Sequence, residues 1–179
     1  MYSSAFKDAL WGFCITAVAG TLLHFAYAAS GSSALLAPFV PINESIWEHL
    51  KLLYWPTVLY TLFTFWHTGF DPHLLWARSC SLICGLSATV ILYYTYTGVI
   101  GRGFLAVDIL LFYLTAALTY GLSFLLRTRF PTPTGREVLF FAAVILLTGF
   151  CMFLWTWHPP RIQLFRDPQT AGIAPALRK

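Results

Sequence analysis

Charge is scarce in this chain. Of its 179 residues, 11 are Lys or Arg and 7 are Asp or Glu, so only 10% of the sequence is charged. A soluble domain carries about 25%. Hydrophobic residues make up 58% of the sequence, and the mean hydropathy is +0.69. So few charges cannot cover a water-facing surface, and composition therefore points to an integral membrane protein with the lipid bilayer as its solvent. Aromatics at 18% agree, because Trp and Tyr collect at membrane interfaces.

Other absences narrow the function. The formal charge of +4 is spread thinly, with no basic run and no reading motif, which argues against nucleic acid as a partner. There is no internal repeat, no low-complexity segment, and no HExxH or CxxC spacing. The cysteines Cys14, Cys80, Cys84 and Cys151 lie inside apolar segments. Cys80 and Cys84 share a helix face, but no disulfide framework follows, and all of them read as small packing residues.

What the chain has is long apolar runs. A membrane-crossing helix needs about 20 mostly apolar residues. Segments near 9–29, 46–67, 73–98, 104–126 and 138–157 satisfy this, so the expected fold is all-α, an integral membrane bundle of five transmembrane helices. Ala26-Tyr27-Ala28 resembles a signal-peptide cleavage site. The apolar run before it is too long for a signal peptide, however, and Asp8 offsets Lys7, so the segment reads as a retained span. Pro56 should kink the second span, and Asp71-Pro72 should cap and open the third. Ala117 with Gly121, and Ser81 with Gly85, permit close helix contacts.

Five spans put the termini on opposite sides. Lys7, Arg78, Arg127, Arg129 and Arg136 fall on one side, and only Arg102 lies in the loops of the other. The positive-inside rule then makes the N-terminus cytoplasmic and the C-terminus external, against the pull of a basic tail. The external (trans) side also receives the segment 30–45, which is too apolar for a solvated loop and should lie in the interface or dip into the bundle. The tail 158–179 carries His158-Pro159-Pro160 and then Leu164-Phe165, a pattern that suits a strap across that same face and a free tail equally.

Ionisable residues converge at this trans mouth: His24, Glu44, Glu48, His49, Lys51, Asp108 and His158. Some have ordinary explanations. Ser45-Ile46-Trp47-Glu48 reads as a capping box, and Lys51 as a snorkelling partner of Glu48. Asp8, Asp71 and Glu137, at the opposite end, read as caps or interface residues. Asp108 sits inside a span and needs a partner, which Arg102 or Lys51 would supply. The remainder, carboxylates and imidazoles brought together from neighbouring helices, is the ligand set of a divalent metal (Zn, Mn or Fe). The expected ligands are His24, Glu44, Glu48 and His49. Glu48, Asp108 and His158 are the candidate catalytic acid–base groups.

The chain resembles a family of small, uncharacterised prokaryotic multi-pass membrane proteins. The resemblance rests on His24 in the first span, the element Asn43-Glu44-Ser45-Ile46-Trp47-Glu48-His49, and a tail of His158-Pro159-Pro160 through Leu164-Phe165-Arg166-Asp167-Pro168. It implies a shared membrane fold in a prokaryotic cytoplasmic membrane and brings no function with it.

Three function classes follow from the residues. One is a metal-dependent hydrolase or transferase acting on a lipid or amphipathic substrate. The second is a non-catalytic subunit or assembly factor bound to a membrane-protein partner. The third, a cation or proton transporter, is weakened by an apparently non-polar cytoplasmic half and by the lack of paired broken helices.

Overall fold

The computed structural model describes residues 2–168. Within them lie the α-helices α1 (Tyr2–Ala29), α2 (Ile46–Thr68), α3 (Pro72–Ile100), α4 (Leu105–Arg129) and α5 (Gly135–Trp157), followed by a 3-10 turn at Gln163–Phe165. No strand is present among the described residues. Four of the helices, α1, α3, α4 and α5, are long and apolar enough to cross a membrane.

The helices coincide with the five expected segments, but their ends differ. α1 begins at Tyr2 instead of near residue 9 and so runs straight through Lys7 and Asp8. Each terminus has a local cause. Asp71 caps α3, accepting the His73 N–H at 2.9 Å, with Pro72 in the first turn. Gly101 ends α3 in the left-handed region at φ 83°. Thr134 and Glu137 form a complete capping box on α5.

α1, α2, α3 and α4 pack as a ring in chain order, α4 closing against α1, while α5 lies outside it against α3 and α2. Position in this arrangement explains composition. α5, the outrigger, is the most apolar helix and buries only Ile145, Met152 and Thr156. α2, the helix that does not reach the same apolarity, is enclosed over most of its first two-thirds, from Trp47 through Thr61. A helix shielded by protein can carry Glu48, Lys51 and several hydroxyls that a lipid-facing helix cannot.

Close approach is built from small residues. A Cβ on Gly12 would collide with the rings of Tyr120 and Tyr60. A Cβ on Gly20 would lie 2.7 Å from the Leu52 carbonyl oxygen. That carbonyl lacks its usual helical donor because residue 56 is Pro, so Gly20 lets α1 lie directly on the freed group. α2 continues unbroken through Pro56. Tyr54 welds α2 to α5, donating to the Ile145 carbonyl at 2.8 Å beside Gly149.

Candidate polar site at the mouth of the bundle

The segment between α1 and α2 is pinned from below by one side chain. Lys51 is fully buried, and its Nζ donates to Glu48 Oε2 at 2.6 Å, Thr156 Oγ1 at 2.7 Å and the Ala37 carbonyl at 3.0 Å. The Val40 carbonyl lies at 3.4 Å and shares these donors. Ala37 and Val40 are themselves 1% exposed, so the loop does dip into the bundle, and its backbone is satisfied there. Trp55 Nε1 holds the Pro38 carbonyl at 3.0 Å, while Leu35, Leu36 and Phe39 face outward.

Two expectations change here. Lys51 does not snorkel; it is the centre of a cage. The capping box on α2 is half formed: Glu48 N–H donates to Ser45 Oγ at 3.4 Å, but the Glu48 carboxylate takes the Ile42 N–H at 3.0 Å and the Lys51 ammonium. The Ser45 N–H goes to Asn43 Oδ1 at 2.9 Å. Buried carboxylates seek the strongest available donors, and an ammonium outcompetes a neutral amide. Glu48 therefore serves the cage and does not belong to the imidazole cluster beside it.

That cluster contains His24, Glu44 and His49, each able to offer a ligand atom within 4.8 Å of the others. His49 extends from the first turn of α2, one helical step past Glu48, and so points to α1 instead of into the cage. Its Nδ1 lies 2.9 Å from the Ser45 carbonyl, which can only accept, so Nδ1 carries a proton. The other ring nitrogen, Nε2, faces Glu44 Oε2 at 3.4 Å. The His24 ring lies 5.3 Å from the His49 ring, and His24 Nδ1 is buried with no hydrogen-bond partner. The side chains of His49 and Glu44 are 28% and 40% exposed, so the cluster opens outward.

The remaining expected residues lie elsewhere at this end. Asp108, in the first turn of α4, accepts from Tyr96 OH, and Tyr96 OH also takes the Phe104 N–H at 3.2 Å. A tyrosine of α3 thus supplies the partner expected from Arg102 or Lys51. Arg102 instead lies over the Phe104 ring at 4.6 Å. His158 ends α5 with an exposed side chain that makes no hydrogen bond among the described residues. Phe165, after α5, packs back on the bundle, meeting Trp47 at 4.8 Å and Trp155 at 5.5 Å. Residues 169–179 of the tail lie outside the described residues.

The opposite end holds a polar hub that sequence reasoning missed. Asp8 Oδ2 accepts from Arg78 at 2.6 Å and from Arg127 at 3.1 Å, and Arg127 continues to Asp71 at 3.2 Å. Tyr60 OH reaches Asp8 Oδ1 at 3.2 Å, and Arg78 lies over the Tyr120 ring at 4.4 Å. Asp8 therefore ties all the ring helices together. The interior of this half is also not free of polar groups. Thr61, Thr115 and Thr119 are buried, but each returns its hydroxyl to a carbonyl of its own helix. Those hydroxyls are satisfied within their own helices, whereas Thr57 Oγ1 and Ser123 Oγ are buried with no hydrogen-bond partner.

The class these observations define is an all-helical bundle with four helices long and apolar enough to cross a membrane. The chain belongs to DUF6512, a family of unknown function whose model matches residues 1–173. No curated protein and no solved structure matches it.

Proposed function

We propose that the protein is a five-span membrane protein with a divalent metal site at its trans mouth, formed by His24, Glu44 and His49. The observation that carries this reading is the way the imidazoles are oriented. The proton on His49 Nδ1 is fixed by the Ser45 carbonyl, which leaves Nε2 as a lone-pair donor toward the Glu44 carboxylate. A carbonyl partner on the far nitrogen is the usual outer support of a metal-bound histidine. His24 adds a buried ring nitrogen with nothing to bond. Tetrahedral ligands on zinc stand about 3.4 Å apart, given bonds of about 2.1 Å. The His49–Glu44 separation of 3.4 Å already meets that spacing. A modest closure of His24 would complete the site.

Two imidazoles and one carboxylate leave an open coordination position, the arrangement of catalytic zinc and of non-haem iron centres. A metal held there would activate water for attack on a lipid or amphipathic substrate entering from the interface, giving a hydrolase or transferase. The half-exposed cluster and the outward-facing Leu35, Leu36 and Phe39 support an interfacial substrate. Glu48 and Asp108 have no place in this chemistry, since each is engaged by its own partner.

Elemental analysis of detergent-purified protein, prepared without chelator, is expected to find about one Zn, Mn or Fe per chain. His24→Ala and His49→Ala should each lower this severalfold while the helix content stays unchanged. Metal-free wild-type protein with an intact fold would overturn the reading.

One observation favours a second reading, a non-catalytic subunit or assembly factor. Glu48, Lys51 and Asp108 each have a protein partner, and the Glu44–His49 contact at 3.4 Å continues the same pattern of paired side chains. On that reading Glu44→Gln lowers the melting temperature, and the protein binds no metal.

A further inference from the structure

A shallow groove runs along the outside of the ring between α1 and α4, with a volume near 180 Å³. Phe6, Leu10 and Phe13 of α1 line it opposite Tyr120, Gly121 and Phe124 of α4. Its wall is apolar throughout. A Cβ on Gly121 would meet nothing within 4 Å, so the glycine there serves no helix contact and simply leaves space. This sets it apart from Gly12 of α1, where a Cβ would strike Tyr120 of α4.

Two cations stand at the groove's lower end. Lys7 lies one helical turn before Leu10, is exposed, and has no acidic partner among the described residues. Arg129 is also exposed and unpaired by any acid; its guanidinium lies 5.9 Å from the Tyr2 ring, which in turn touches Phe124 at 5.6 Å. Of the other basic groups at this end, Arg78 and Arg127 pair with Asp8 and Asp71, and Arg136 belongs to α5, which does not line the groove. Lys7 and Arg129 are thus the exposed cations without an acidic partner on the two helices that line the groove, among the described residues.

We infer that this groove binds an anionic phospholipid, with one acyl chain against Gly121 and Phe13 and the phosphate between Lys7 and Arg129. A lipid matches both parts: hydrocarbon for the groove and a negative headgroup for its end. Each basic residue near an anionic headgroup strengthens binding roughly fivefold, so the pair should give about a thirtyfold preference over zwitterionic lipid.

The test is native mass spectrometry of the full chain from micelles containing equal phosphatidylglycerol and phosphatidylcholine. Wild type should retain phosphatidylglycerol far in excess. Lys7→Gln with Arg129→Gln should abolish the excess, and Gly121→Leu should remove the bound lipid by filling its space. Equal retention of the two lipids by wild type would overturn the inference, as would an excess that survives the double charge variant. A dimeric wild type without lipid that Gly121→Leu turns monomeric would also overturn it, placing a second copy in the groove. Should Gly121→Leu fail to fold, the surface charge variant alone still decides.

Discussion

Lys51 is the residue on which most of the end carrying the 30–45 loop depends, and its sequence context hides that. An ammonium three residues after a glutamate near a helix start ordinarily marks a solvated pair. Here the pair is 0% and 3% exposed at its side chains. What makes burial tolerable is that the ammonium satisfies its donors on carbonyls and a hydroxyl contributed by other segments. Those partners, Ala37 and Thr156, lie too far away in sequence to be inferred from local spacing. The imidazole cluster was more legible, since His24, Glu44 and His49 follow from topology alone; which glutamate joined it did not. The cage predicts a specific cycle. Lys51→Met should lower stability by about 3–5 kcal/mol, because Glu48 is left as an unpaired buried charge. Adding Glu48→Gln should recover most of that loss. Thermal melting in detergent measures both, and a Lys51→Met protein that melts like wild type would contradict the cage.

At the scale of elements, the helices themselves were readable because each apolar run is long enough to span. Their ends were less so. A polar Lys7-Asp8 pair reads as the edge of a span, but the two arginines that neutralise Asp8 come from α3 and α4, and with them in place α1 continues to Tyr2. Glycine spacing was legible as close packing in general but did not distinguish the glycines that make contact from those that do not. Gly12 and Gly121 separate these roles. Gly12→Ala drives a methyl into Tyr120 and Tyr60 and is expected to cost about 1–3 kcal/mol. Gly121→Ala enters open space and should leave the melting temperature unchanged or slightly raised. Equal destabilisation by both would contradict the α1–α4 interface described here.

For the whole molecule, the bundle has two ends rich in ionisable groups joined by a middle whose buried polar groups are hydroxyls, with a cage and an imidazole cluster at one end and the Asp8 hub at the other. The first end was foreseen, because loops and helix starts converge there by chain order. The second was not, since its ties join residues separated by 70 and 119 positions. The proposed five crossings put these ends on opposite sides of a membrane. In a cysteine-free background, single cysteines at Ser3 and Gln163 should react with a membrane-impermeant maleimide from opposite faces of sealed vesicles. Labelling from the same face would remove α2 from the membrane-crossing set and with it the proposed topology.

The Lys51 cage also bears on how the chain is made. Ala37, Val40 and Glu48 all leave the ribosome before Lys51 does, whereas Thr156 follows it by 105 residues. Chain order thus makes a carboxylate and two carbonyls available to the Lys51 ammonium as soon as α2 is synthesised, before any of α3 exists. The last partner, Thr156, comes only with the end of α5, so the full set of Lys51 bonds needs every helix of the bundle to have been made.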